Sequence, residues 1–323
     1  MKHFLKMGLA AFAMASLGLA AQASDKKDFV VGYSQYNGTN KFLIAQAEGA
    51  RKAIEEWKAK GVNIELLVTN AGDSDINRQV ADLEDLYTRG VDGVLVFPAD
   101  SKVIAQPIVN VYNANDIPVV VTDVGIERGD YVHFNSSDNY KAGEIAAELL
   151  AERVAKGGKV IAFNHLPGNR ATQDRGKGFA DKAAELGLVV LPEKLYTLSL
   201  ENGRRLAEDT LTAIPDIAGI FTFNSIGAQG AYSAIEAASR TNDVVVVSTD
   251  IDPVGYQMAK DGKISALIVQ DPFRMGYEGL NNLVYKLTGD DAKIVKELKI
   301  PLRILTKDNA DEFADDPQVS TAK

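Results

Sequence analysis

The stretch "DVVVVSTD", residues 243–250, sets four valines in a row ahead of Ser248, Thr249 and Asp250. Apolar side chains at every position, rather than at every second one, suit a strand covered on both faces, the environment of a parallel sheet. A carboxylate placed where such a strand stops needs a purpose. The same arrangement closes "PVVVTD" at Asp123, "GIFTFN" at Asn224 and "SALIVQD" at Gln270 and Asp271. In open parallel sheets, ligands bind beyond the carboxyl ends of the strands, so Asp123, Asn224, Asp250 and Gln270 form a candidate site. Each taken singly has a plain structural alternative, because Asp and Asn start turns and cap helices. As a set they offer two carboxylates that accept hydroxyl protons and two amides that both donate and accept, the inventory a neutral polyhydroxylated ligand requires.

Outward from these strands, short β-branched runs alternate with longer amphipathic stretches from Phe29 onward, the rhythm of βαβ units. Strands are expected over 29–34, 63–70, 93–98, 118–123, 159–165, 188–197, 218–224, 244–250 and 265–271. Between them, "FLIAQAEGARKAIEEWKAKG", "INRQVADLEDLYTRG", "KAGEIAAELLAERVAKG", "GFADKAAELG" and "GAQGAYSAIEAASR" space apolar residues three and four apart and are expected as crossover helices. The series runs twice. The expected fold class is therefore α/β, with two lobes on parallel sheets and residues 124–138, which lack helical periodicity, as the passage between them.

The length of 323 residues allows two compact domains, and 46% hydrophobic with 24% charged residues is ordinary for a globular chain. Residues 1–23 read as a cleaved export signal: Lys2 and Lys6, the apolar "MGLAAFAMASLGLAA", then the small-x-small Ala21-Gln22-Ala23. The mature chain is expected to start at Ser24 and to reside in the periplasm, since the apolar run is short for a membrane span. Losing Lys2 and Lys6 takes the net charge from −9 to −11. The densest basic stretch, "RGKGF", sits beside Asp174 and Asp181 and reads as a solvated turn, so nucleic acid is not an expected partner. Without cysteine there is no thiol catalysis, disulfide or thiolate metal site.

After the first strand, "GYSQYNGTNKF" gathers Tyr33, Tyr36, Asn40 and Phe42, flat rings to cover the apolar face of a sugar and an amide for its rim. Core packing of Phe42 at a helix start is the alternative. Arg170 and Gln173 in "PGNRATQDRG" follow another strand and are placed to face the same cleft, whereas Arg175 reads as half of a structural pair. Enzyme signatures are missing: no G-x-G-x-x-G after the first strand, no phosphate-binding loop, no G-x-S-x-G elbow, and His133 and His165 lack metal-ligand spacing. No cofactor or metal is expected. The acidic "DNADEFADDP" lacks the glycine of a calcium loop and reads as a solvated, mobile terminus.

From about Phe29 to Arg303 the sequence resembles the periplasmic sugar-binding proteins of the ribose-binding type. The matching stretches include "NKFLIAQAEGARKA", "DLYTRGVDGVLVFPADS", "IPVVVTD", "SSDNYKAGEIAAELLA", "RGKGF", "IFTFNSIGAQGA", "VVVSTDIDP" and "DGKISALIVQDPFRMGYEG". The resemblance implies two Rossmann-like lobes joined by three crossing hinge segments, with lobe boundaries at 24–136 plus 271–299 and 137–270 plus 300–323. It implies a monomer that delivers sugar to an inner-membrane ABC permease. Ligand contacts carried over by position fall on Asn40, Phe42, Asp123, Asn224, Asp250 and Gln270. Departures from the ribose pattern are Val124 and Gln173 where arginines stand, and Leu43, Leu198 and Thr249 where rings stand, with Arg170 and His165 as partial substitutes. Two lost guanidinium forks count against ribose itself and leave a neutral sugar or sugar alcohol as the expected ligand. A periplasmic sensor subunit would use the same pocket; a transcriptional regulator of this core would carry a basic helix-turn-helix at its start.

Overall fold

The computed structural model describes residues 27–72, 75–165 and 168–320. The expected export signal and the His165 side chain lie outside the described residues. In chain order the elements begin with β1 (Asp28–Gln35), α1 (Lys41–Ala59), β2 (Asn63–Asn70), α2 (Ile76–Thr88), β3 (Gly93–Val96), α3 (Ala105–Pro107), β4 (Val119–Thr122) and β5 (His133–Ser137). They continue with α4 (Asn139–Ala151), β6 (Lys159–His165), α5 (Arg170–Glu185), β7 (Val189–Val190), β8 (Lys194–Tyr196), α6 (Leu200–Ala213), β9 (Ile217–Thr222) and α7 (Ser225–Ala237). The last are β10 (Val245–Thr249), α8 (Pro253–Lys260), β11 (Ala266–Val269), α9 (Pro272–Leu287), β12 (Glu297–Ile300), β13 (Arg303–Leu305) and a 3-10 segment, Lys307–Phe313.

The strands form two sheets, ordered β12-β5-β4-β3-β1-β2 and β13-β11-β10-β9-β6-β7, with β8 beside β6. Every pairing is parallel except β11 with β13, which runs antiparallel. The central runs behave as their sequences demand. Val119–Thr122 and Ala266–Val269 are buried at every residue, and Val246 and Val247 of β10 are sealed between helices on either side. Each valine, leucine and isoleucine among them is worth roughly 1.5–3 kcal/mol of burial.

Several expectations need correcting. Residues 124–138 are not all connection, because β5 continues the first sheet and the chain leaves that sheet at 138. The single strand expected over 188–197 is split into β7 and β8. "RGKGF" is helical: α5 starts at Arg170, capped by Asn169, whose side chain accepts the Thr172 N–H. The acidic terminus is packed rather than solvated, with Ala310, Phe313, Asp316 and Gln318 all buried. The chain crosses between the sheets at 138, at 270–271 and at 301–302. Separate apolar cores, around Tyr33 and Tyr112 in the first lobe and around Phe163 and Phe221 in the second, make each lobe a unit of its own.

Candidate functional site

Between the lobes lies a chamber of about 60 Å³ that opens into an outer cavity of about 410 Å³. Both are lined by Tyr36, Asn40, Phe42, Leu198, Asn224 and Asp250; Asp123 and Gln270 line the inner chamber. All four strand-end residues therefore meet in one place; Asp123, Asp250 and Gln270 lie one residue past their strands and Asn224 two.

The two aspartates occupy equivalent places in the two lobes, after β4 and after β10, and both adopt left-handed backbone, φ 60° at Asp123 and φ 65° at Asp250. Such a conformation is costly for most residues and tolerated by Asp. It is held here by main-chain bonds from Asp123 N to Asn135 O (2.7 Å) and from Asp250 N to Ile268 O (3.0 Å). The turn swings each carboxyl off the end of the sheet into the cleft.

The amides are fixed by capping. Asn40 Oδ1 accepts the Phe42 N–H at 2.9 Å at the start of α1, and Asn224 Oδ1 accepts the Gly227 N–H at 3.0 Å at the start of α7. The structural role thus uses each Oδ1 and leaves Nδ2 as the donor each can offer a ligand. Gln270 donates Nε2 to Asp250 Oδ1 at 2.7 Å. Among the described residues, Gln270 Oε1 and Asp123 Oδ1 are buried with no hydrogen-bond partner. A buried acceptor left unmatched is costly, and two of them in one chamber call for hydroxyl or amine donors from a ligand.

The cation of the site is Arg175. It lies on the buried stripe of α5 with Thr172, Gly176 and Phe179 and is 3% exposed. Its guanidinium donates to Asn139 Oδ1 (2.6 and 3.2 Å), Phe223 O (2.7 Å) and Thr249 Oγ1 (2.6 Å), which locks it in one pose. Burial pushes the Asp123 carboxyl up to about 7 and raises that of Asp250, with Arg175 opposing the rise at both. The walls are aromatic and apolar: Phe97 meets Tyr36 and Phe42 edge-on, with ring centres 5.2 and 5.9 Å apart, and Phe223 and Leu198 line the opposite lobe. Flat apolar walls around a polar rim suit a sugar ring.

Other expected residues lie elsewhere. Tyr33 is sealed in the first lobe's core with its hydroxyl on Gln46, so it is a packing residue. Gln173 is exposed and lines none of these cavities. Arg170 is also exposed, 3.8 Å from Asp174, and faces a neighbouring cavity of about 340 Å³ on the far side of Asp123. The backbone of His165 ends β6. Sequence reasoning missed Phe97, Phe223 and Arg175. The available signals were the aromatic residue just after β3, the one before Asn224, and helical spacing that puts Arg175 between Thr172 and Phe179 once the helix is started at Asn169.

A family model described as a periplasmic binding protein domain matches residues 31–291. The chain is 31% identical over 290 residues to the ribose import binding protein of Bacillus subtilis, covering 89% of this chain and 90% of that one. It is 30% identical over 294 residues to the Escherichia coli ribose import binding protein, covering 90% and 95%. Among solved structures it is similar to a carbohydrate transporter solute-binding protein of Agrobacterium radiobacter in complex with D-arabinose, at 28% identity and TM-score 0.77, covering 91% of this chain and 98% of that one. It is also similar to an ABC transporter solute-binding protein of Agrobacterium vitis bound with α-D-tagatopyranose, at 26% identity and TM-score 0.78, with the same coverage of 91% and 98%.

Proposed function

The chain belongs to the periplasmic binding protein domain family, and from that premise we propose that it captures a neutral sugar or sugar alcohol between its lobes and delivers it to an ABC importer. The observation that carries this reading is the pair of orphaned acceptors, Asp123 Oδ1 and Gln270 Oε1, buried in a chamber with one locked guanidinium and aromatic walls. Hydroxyl groups are the donors that satisfy them without adding charge. An anionic ligand would face two carboxylates against one guanidinium, and a cationic one would face Arg175. Capture without chemical turnover suits this inventory, since the acids are tied to binding geometry. Residues 1–23 direct export to the periplasm in this reading, and the crossings at 138, 270–271 and 301–302 act as the hinge through which an inner-membrane permease senses closure. Asn40, Phe42, Asp123, Arg175, Asn224, Asp250 and Gln270 make the contacts, with Tyr36 as an outer wall.

A thermal-shift screen of the protein against pentoses, hexoses, deoxy sugars, inositols and linear polyols tests it. A ligand at a thousand times its Kd stabilises the fold by about 4 kcal/mol, a shift of several degrees. Asp123→Ala and Asp250→Ala should each weaken the hit by more than about tenfold, because ligand hydroxyls are left unpaired in a buried site. A flat screen on folded, ligand-free protein, or full affinity in both variants, rules the reading out.

A further inference from the structure

The segment after β13 is anchored to the second lobe along its length. Ala310 and Phe313 are buried, Phe313 lies 5.0 Å from the Arg303 guanidinium, and Lys260 holds Asp311 at 2.8 Å. So fixed, the segment carries Gln318 to the crossing at 270–271. The Gln318 side chain is 1% exposed, and its Nε2 donates to the main-chain oxygen of Gln270 at 3.2 Å and to Asp316 Oδ1 at 3.3 Å. Two acceptors on one nitrogen settle which way this amide points. Asp316 takes the Gln318 N–H at 3.0 Å and holds Arg303 through its other oxygen.

Gln270 in turn sends its own side-chain amide to Asp250 inside the chamber, 2.7 Å away. Polar contacts therefore run without a break from Arg303 through Asp316, Gln318 and Gln270 to Asp250. The pairing of β11 with β13 reaches Val269 and goes no further, so Gln318 supplies the next carbonyl with the donor that the ladder no longer provides. Around it the segment stands away from the first lobe: a cavity of about 380 Å³ separates Asp315 and Pro317 from Ala45 and Phe273. Gln318 touches the crossing at a point rather than clamping the lobes together.

We propose that Gln318 is a positioning residue for ligand capture: it fixes the Gln270 main chain so that Nε2 reaches Asp250 and Oε1 is presented to the ligand, an assignment that rests on the sugar-binding reading for the ligand's identity. Gln318→Met keeps the length of the side chain and removes its donor. In the ligand-free protein, the side-chain amide resonance of Gln270, identified by its loss in Gln270→Ala, should move to the position of a mobile glutamine. By calorimetry with D-ribose, D-arabinose and D-allose as probes, Gln318→Met should weaken whichever sugar binds by about fivefold, the worth of one neutral hydrogen bond. In a Gln270→Ala background the same substitution should change affinity by less than about twofold, because coupled residues are non-additive. Gln318→Glu is the second variant: it lacks the donor when ionised and regains it on protonation, so the Gln270 resonance should return as pH falls. An unmoved Gln270 resonance in either folded variant overturns the proposal, as does equal weakening in both backgrounds. If the native protein binds none of the three sugars, the sugar reading fails for those probes, and the Gln270 resonance alone decides the role of Gln318.

Discussion

Burial lifts the Asp123 carboxyl to about 7 against the pull of Arg175, with Asp250 adding to the rise and Lys299 opposing it. In the unfolded chain the same group titrates near 3.9, so between about pH 4 and 7 the folded protein keeps a proton that the unfolded chain has released. Its contribution to stability is complete below about pH 4 and is lost as pH rises through 7. Asp123→Asn removes this slope; urea unfolding of the ligand-free variant should find it more stable than the native protein at pH 8, with the advantage gone at pH 4. Ligand binding has the opposite sign. Hydroxyls that donate to Asp123 favour its ionised form, so affinity should tighten as pH rises through 7, by up to about tenfold per unit below it. A Kd that is flat between pH 5.5 and 8 would show that Asp123 takes no proton donor from the ligand. Asp123, Asn224, Asp250 and Gln270 were legible because a polar residue after an apolar strand is conspicuous. Arg175 was hidden by the placement of one helix start. With the helix begun at Gly178 instead of Arg170, a buried guanidinium looks like a surface charge. Tyr33 misled because it was grouped with Tyr36, Asn40 and Phe42 although it already fell within the strand expected over 29–34, where its side chain points into the core.

Helices pair across the outside of each sheet through glycines that admit no side chain. A Cβ on Gly276 of α9 would lie 1.8 Å from Gln46 O on α1, one on Gly143 of α4 would lie 2.0 Å from Arg175 O on α5, and one on Gly230 of α7 would lie 2.2 Å from Leu200 O on α6. Each contact sets how closely two crossover helices approach. Alanine at any of the three should cost about 1–3 kcal/mol, the price of overpacking, read as a lower urea midpoint at constant m. The sites differ in what else they move. Gly143 rests on the turn that bears Arg175, so Gly143→Ala should also weaken sugar binding, whereas Gly230→Ala should not. Equal affinity in both variants would mean that the α4–α5 crossing does not set the guanidinium. At this scale, amphipathic spacing and valine runs made most helices and the central strands readable. β5, β12 and β13 were not, for a physical reason. β5 is "HFNSS", whose buried Asn135 donates Nδ2 to Met275 O at 2.8 Å rather than packing as an apolar residue, and β12 and β13 are short edge strands with charged residues. Their partners are distant in the chain, as with Phe134 opposite Glu297, so no local pattern announces them.

Two lobes with independent cores, joined by three short crossings, can move as rigid bodies, and the arrangement described here is closed. Across the cleft mouth, Ser101 N of the first lobe donates to Gly168 O of the second at 3.1 Å. Gly168 has φ 110°, which disfavours any side chain, and a Cβ there would lie 2.3 Å from Asp100 Oδ2, so alanine would force the Asp100 carboxyl to shift. A ligand drives closure only by the contacts it makes in the closed form and not in the open one. The residues that line the chamber are divided between lobes, with Asp123, Asn40 and Phe42 on one and Arg175, Asn224 and Asp250 on the other. Sugar at saturation should therefore lower the radius of gyration measured by small-angle scattering. Gly168→Ala strains its own loop in either form through the positive φ and crowds Asp100 only in the closed one: it should leave the ligand-free scattering unchanged and raise the dissociation rate by about tenfold or more, while association changes little, because most affinity differences within one site reside in dissociation. Bound sugar with an unchanged radius of gyration would show that capture occurs without closure. A Gly168→Ala variant that releases sugar at the native rate would show that the rim contact follows closure rather than holding it.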